Sequence, residues 1–288
     1  MVYETTHTTR YRYENPVAHC HSEARLTPRI LPHQRLLNWS LEVTPRPAAI
    51  ISRKDYFGND VNSFAVLEPH QEFSITSRSV VERVAPTGPP PQRLSWEQTR
   101  DLLRCCDSAG LLAADEFTHE SPFVPLFDEL QAFGRAALSP GRPLLEATTA
   151  LMHQIYREFR YSPAETSIET PLEQVLLEQK GVCQDFSHAM IGVLRAHGLA
   201  ARYVSGYLRG GAHLEGAQAS HAWVSVFLPD WGWVDFDPTN DLLPSAEHLT
   251  LAWGRDFGDV TPVKGITIGG GQHQLDVEVR CTSLLSGA

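Results

Sequence analysis

Gly181-Val182-Cys183-Gln184-Asp185-Phe186-Ser187-His188-Ala189-Met190, continuing as Ile191-Gly192-Val193-Leu194-Arg195-Ala196-His197-Gly198-Leu199, is the stretch whose reading decides the fold. Apolar residues at Phe186, Met190, Val193, Leu194 and Leu199 recur at helical spacing, and Gly198 stands where a helix would end. The spacing predicts a buried, glycine-capped helix with Cys183 in its first turn. A helix start carries partial positive charge and unpaired N–H groups, which stabilise a thiolate over a thiol. A lone cysteine is more often a small packing residue, so a nucleophile has to be argued from what accompanies it.

The companion is Ser220-His221-Ala222-Trp223-Val224-Ser225-Val226-Phe227-Leu228, then Pro229-Asp230-Trp231-Gly232, then Trp233-Val234-Asp235-Phe236-Asp237-Pro238-Thr239-Asn240. The first run alternates, with His221, Trp223, Ser225 and Phe227 on one face and apolar residues on the other. The middle is turn chemistry and the third run is a strand ending at Pro238. A turn centred near Pro229 and Asp230 sets His221 opposite Asp237, or one residue from it. Asp235 shares the face of Asp237, but pairing it with His221 would place Pro229 inside a ladder it cannot donate to. Nucleophile on a helix start, base on one strand and orienting carboxylate on the next is the logic of covalent acyl transfer.

Cys183 in Gly-Val-Cys-Gln-Asp-Phe-Ser-His, His221 in Ser-His-Ala-Trp-Val and Asp237 in Trp-Val-Asp-Phe-Asp-Pro-Thr-Asn resemble, in order, three motifs of the transglutaminase-like superfamily, in its bacterial transglutaminase-like cysteine protease branch. The resemblance implies a papain-like core with Cys183 as nucleophile, His221 as general base and acid, and Asp237 as orienter. Thr9-Arg10-Tyr11-Arg12-Tyr13, Arg25-Leu26-Thr27-Pro28-Arg29 and Asp55-Tyr56-Phe57-Gly58-Asn59 look like the family's N-terminal domain, and Tyr203-Val204-Ser205-Gly206-Tyr207-Leu208 and Gly254-Arg255-Asp256-Phe257-Gly258-Asp259 also resemble it. Gln184, Tyr207 and Trp223, neighbours of the motifs, are the candidate substrate-contacting side chains. The backbone N–H of Cys183 is the expected oxyanion donor, since an oriented N–H about 3 Å from the developing charge suffices.

The chain has 288 residues, 42% hydrophobic and 20% charged, enough for one large domain or about two. A net charge of −10 argues against a broad nucleic-acid or anionic-membrane footprint. The N-terminus lacks a basic and apolar leader pattern, and no run approaches the ~18 apolar residues of a membrane span. Cys20, Cys105, Cys106, Cys183 and Cys281 are odd in number and follow no framework spacing. The expectation is a cytoplasmic protein with free thiols, acting on a peptide or protein substrate, with no cofactor and its oligomeric state open.

The fold class expected is α+β. Residues 1–84 alternate in short β-branched and aromatic runs with Gly, Pro and Asn between them, predicting an antiparallel β-sandwich. Its bland role, packing or partner docking, outweighs a ligand site. Residues 85–92 are a stiff proline-rich linker. Residues 93–288 form the catalytic part, with helices over 96–112, 125–138 and 143–159, a helix capped by Thr170 with Pro171 at its first position, and a closing strand at Leu275–Arg280. The glycine-rich stretch Arg209–Ala219 is as much a candidate lid as a solvated connector.

Two rival readings follow from the same residues. A zinc site from Cys183, His188 and His221 would need a fourth ligand or water, and five residues separate the first two poorly along a helix. No acidic loop has calcium-ligand spacing. A non-catalytic binding scaffold predicts loss of a motif residue, and all three are present. Amine in place of water as acceptor would turn hydrolysis into transglutamination.

Overall fold

The structure, a computed structural model, describes residues 1–85, 94–163, 165–209, 215 and 220–284. In chain order come β1 (Val2–Ala24), β2 (Gln34–Thr44), β3 (Ile50–Lys54), β4 (Asp60–Val66) and β5 (His70–Arg83). Then follow α1 (Trp96–Cys105), α2 (Ala109–Asp115), α3 (Asp128–Gly134), α4 (Leu144–Glu158), β6 (Arg160–Tyr161), α5 (Leu172–Glu178) and β7 (Lys180–Gly181). The chain continues through α6 (Cys183–Ala196), β8 (Ala201–Leu208), β9 (His221–Leu228), β10 (Gly232–Phe236), β11 (His248–Gly254) and α7 (Phe257–Val260). β12 (Val263–Gly269) and β13 (His273–Leu284) end it. Of the proline-rich linker all but its first residue lies outside the described residues, as does most of the glycine-rich stretch before His221.

The expected N-terminal sandwich is built as one curled sheet. β1 is its 23-residue spine. Along one edge Val2–Arg12 pair with β5 and Cys20–Ala24 with β4; along the other, Val2–Tyr13 pair with β13 and Val17–Ala24 with β12. All three ribbons are interrupted at the same level, by Pro16 in β1, Pro69 between β4 and β5, and Gly269-Gly270-Gly271 running from the last residue of β12 toward β13. Proline cannot donate to a ladder, and the three glycines take positive φ, so the ribbons bend there together. The curl lets Val43, Phe73 and Ile75 of one half share a core with Cys20, Ala24, Phe64 and Val66 of the other.

This corrects the assignment of residues 93–288 to a separate catalytic part. The strand at Leu275–Arg280 belongs to β13 and, with β12, completes the N-terminal sheet. An alternating strand announces that it needs a partner but not which edge offers one.

The second unit places α6 at the centre. Every residue from Cys183 to Arg195 except Gln184 is buried. Fully burying side chains such as Phe186, Met190, Ile191 and Leu194 is worth about 1.5–3 kcal/mol each, which overrides the weak helix propensity of Gly192. α3, α4 and α5 pack on one side of α6 and the antiparallel sheet β10-β9-β8-β11 on another. Buried Arg195 locks the helix end by donating to the carbonyls of Phe117, Ala201 and Arg255 and to Ser121 Oγ. The helices fall near their expected places. The 96–112 reading divides where Cys106 turns left-handed, and Pro171 occupies the cap position of α5 while Thr170 accepts from the Ser167 N–H.

The two units are joined by the turn after β3. Asn59 is fully buried, donates to the Trp253 carbonyl at 2.9 Å and accepts from the Trp253 N–H at 3.0 Å. Arg29 lies over the Trp253 ring, and Arg202 stacks between Trp253 and Trp233.

Candidate active site

Cys183 is the first residue of α6 and 9% exposed. The approach to it is set by Asp185, whose Oδ2 accepts from the Val182 N–H and the Thr166 hydroxyl, both at 2.8 Å. Burial raises the Asp185 carboxyl, while the Val182 N–H and Thr166 draw it back down. Gly181, at φ +154, leaves room for this carboxylate: a Cβ there would lie 2.3 Å from Asp185 Oδ2. The Gly-Val-Cys-Gln-Asp run thus folds back on itself and presents the sulfur at a helix start, where the N–H groups have no intrahelical acceptor.

His221 opens β9, and Asp237 follows the last residue of β10. The hairpin register pairs Phe236 with Val224, so Asp237 falls level with Trp223 rather than opposite His221. The carboxylate reaches His221 on the diagonal, with Oδ2 2.8 Å from Nε2. Asp235 pairs with Ser225, and its charge acts on Arg83 and Arg202 instead. His221 Nδ1, buried and without a hydrogen-bond partner among the described residues, is left for Cys183, the other side chain that acts on the ring.

Asp237 is fully buried and densely bonded. Oδ2 also takes His248 Nε2 at 3.1 Å and Asn240 Nδ2 at 2.8 Å, while Oδ1 accepts from the N–H groups of Thr239 and Asn240. Burial works to raise this carboxyl, but His221 by charge and hydrogen bond, and then His248, hold it well below the usual carboxylate range. Burial likewise works to lower His221. Asp237 first, then Cys183, overcome this and push it up to about 10. Side chains that are both wholly buried favour a paired charge over two neutral groups only because the geometry is short and the remaining lone pairs are satisfied.

His248 and Asn240 are the members of this network that sequence reasoning missed. His248 begins β11, and nothing in its local pattern marks it; the Asn ending Asp-Pro-Thr-Asn was in view but given no task. Among the described residues, His221, Asp237 and His248 form a close group of metal-capable side chains. Their ligand atoms are already committed to one another by hydrogen bonds. His188, considered as a ligand with Cys183, turns its Nε2 to the Phe257 N–H at 3.2 Å, stacks on Phe123 and is lowered by burial to about 4. The structure does not bring it to the other two.

Over Cys183 and His221 lies a cavity of ≈ 360 Å³. Its walls come from both units: His7, Thr9 and Tyr11 of β1 and Leu275 and Val277 of β13 face Tyr161, Val182 and Tyr203. The N-terminal sheet therefore supplies one wall of the cavity, a position that a packing or docking role alone did not predict. Gln184 lines the cavity. Tyr207 and Trp223 do not. Tyr207 is buried with its hydroxyl 3.1 Å from His7 Nδ1, and Trp223 is wholly buried with its ring edge-on to His248 and tilted against His221. A larger groove of ≈ 590 Å³ lies on the far half of the curled sheet, among Ser22, Ala49, Phe64 and Ile266, with no cysteine among its described lining residues.

Residues 3–82 match the bacterial transglutaminase-like N-terminal region, and residues 131–238 match the transglutaminase-like superfamily. The uncharacterized protein Rv2569c of Mycobacterium tuberculosis is 37% identical over 289 residues, covering 96% of this chain and 91% of its own. A protein-glutamine gamma-glutamyltransferase of Pseudomonas aeruginosa is 31% identical over 108 residues, 33% of this chain and 16% of its own. Among solved structures, a candidate cysteine protease from Cytophaga hutchinsonii superimposes with a TM-score of 0.78 at 22% identity, covering 100% of this chain and 92% of its own. The chain belongs to the transglutaminase-like superfamily and carries the family's bacterial N-terminal region.

Proposed function

We propose that the protein is a cysteine-dependent acyl-transfer enzyme that cleaves a peptide or side-chain amide through a thioester on Cys183. The observation carrying this reading is the divided imidazole of His221: Nε2 tied to Asp237 at 2.8 Å, and Nδ1 buried, unpartnered and available to the sulfur. The Cys183 thiolate bonds through Sγ to the amide carbon, and His221, held protonated by Asp237, delivers its Nδ1 proton to the nitrogen as the C–N bond breaks. Water, deprotonated by the same nitrogen, opens the thioester and releases the acid. The Cys183 N–H serves the oxyanion, with the Gln184 side chain as a second donor from the cavity wall.

Water as acceptor gives a peptidase or amidase. The partial match to a gamma-glutamyltransferase supports asking whether an amine substitutes for it. Five free thiols suit a reducing compartment, and the same proposal places the protein in the cytoplasm.

The test is iodoacetamide labelling read by peptide mass spectrometry, with amide turnover by the wild type and Cys183→Ala. Cys105 is exposed and Cys106 half-buried, so both are internal competitors. Labelling of Cys183 ahead of both, with turnover abolished by Cys183→Ala, supports the reading. Turnover that survives the substitution overturns it, and absent turnover with an unreactive Cys183 favours a binding scaffold. A fluorescent primary amine in the same assay separates hydrolysis from transamidation.

A further inference from the structure

We propose that the cavity over Cys183 sorts substrates by charge and holds an uncharged, apolar acyl group, aromatic or branched aliphatic. The inference rests on the acyl-transfer reading and adds the chemistry of the substrate to it.

No Asp, Glu, Lys or Arg stands among the described residues lining the cavity. The wall from the N-terminal sheet is two cross-strand pairs, Thr9 with Val277 and Tyr11 with Leu275, and the facing wall includes Tyr161, Ile168 and Val182. Of the lining side chains that ionise, His7, Tyr11, Tyr161 and Tyr203 are held neutral, and the charge on His221 is matched by Asp237 at 2.8 Å. Burial lowers His7 to about 4, and burial, then the charge of Cys183, push Tyr161 up to about 12. A carboxylate or ammonium entering this space loses its water and meets no opposite charge that is not already paired, which is costly.

The geometry assigns the acyl side. The acyl group is bonded to the sulfur from first attack to hydrolysis, whereas the amine departs after the first half. Cys183 is 9% exposed and lines this cavity, so a group bonded to Sγ is set against it. At ≈ 360 Å³ the cavity is at the small end of ligand sites, which run from about 300 to 1,000 Å³, and suits one side chain and its amide rather than a folded segment.

The experiment uses the full chain and 4-nitrophenyl esters sharing one leaving group: acetyl, isovaleryl, phenylacetyl and succinyl. The acylation rate constant is read from nitrophenol release, and intact mass with peptide mapping reads the adduct on Cys183. Isovaleryl and phenylacetyl should exceed acetyl by about tenfold or more, as pocket-filling methylenes each carry about 10–200-fold. They should exceed succinyl by more still. Val277, 42% exposed, tolerates a new charge, and Val277→Lys should lower the phenylacetyl-to-succinyl ratio at least tenfold. Acylation of Cys183 with equal rates across the series, or with succinyl preferred by the wild type, overturns the apolar assignment and leaves acyl transfer standing. Absence of any acyl adduct on Cys183 overturns both.

Discussion

His7 of the first strand and Tyr207 of the core sheet, 200 residues apart in the chain, share a 3.1 Å hydrogen bond in the buried seam between the two units. The other ring nitrogen of His7 meets Thr9 Oγ1, also at 3.1 Å, so the imidazole is satisfied on both sides. Tyr207→Phe keeps the ring and removes the hydroxyl, stranding Nδ1. An unsatisfied buried polar atom costs about 1–3 kcal/mol, and that loss is expected in urea-induced unfolding. Cys183 alkylation in the native protein should change far less, because Tyr207 lies outside the cavity wall.

Stability should peak near neutral pH, with different histidines setting each limb. Burial lowers both His7 and His188 to about 4, against an unfolded value near 6.5. Their folded form is neutral, so their contribution is full above about 6.5 and is lost as pH falls toward 4, by up to about 1.4 kcal/mol per pH unit for each. His221 has the opposite sign. Raised to about 10 by Asp237, it contributes fully below about 6.5 and loses that contribution as pH rises through 10. Urea midpoints at pH 5, 7 and 9 should be highest at 7, and a profile rising steadily to pH 9 would contradict the His221 assignment.

The helix, the hairpin and the order of the three motif residues were legible in the sequence because each rests on local periodicity. Cys183 starts a helix with apolar spacing, and Pro229-Asp230 marks a turn between alternating runs. What was not legible depended on pairing across the chain. β13 reads as a strand, yet only the sheet edge left open by β1 tells where it goes. The hairpin register was two residues from the expected pairing of His221 with Asp237, a difference bridged by side-chain reach. Tyr207 and Trp223 lie on strands of the site and read as substrate contacts; only burial distinguishes a ring supporting the imidazole from one facing the cavity. His248 sits in an unremarkable strand, 11 residues from the carboxylate it touches.

Gly181 has a stricter task than flexibility. Gly181→Ala would combine a φ of +154, which side chains rarely adopt, with a Cβ 2.6 Å from Asp185 Cβ and 2.3 Å from its Oδ2. The carboxylate would have to leave the Val182 N–H, unfastening the residue before Cys183. A cost of about 1–3 kcal/mol is expected from backbone strain alone. Turnover should fall further than Cys183 labelling, since an alkylating reagent needs only an accessible sulfur, whereas amide cleavage needs the sulfur and oxyanion donor aligned.

His248 gives a prediction about positioning. It shares Asp237 Oδ2 with His221, so the carboxylate that holds the His221 imidazole is itself held from a third strand. His248→Phe removes a hydrogen bond to a charged group, worth about 1.5–3 kcal/mol, or roughly 10–100-fold if it is expressed in the transition state. The expected result is a lower kcat with KM little changed, since His248 does not line the cavity. His248→Gln, which keeps an N–H donor, should recover part of it. Asp237→Asn should cost considerably more, because the amide can no longer balance the imidazolium charge on His221. If His248 acts only through Asp237, then His248→Phe made in the Asp237→Asn background should cost less than in the wild type. Fully additive losses in that double-mutant cycle would mean that His248 supports the fold around the site independently of the carboxylate.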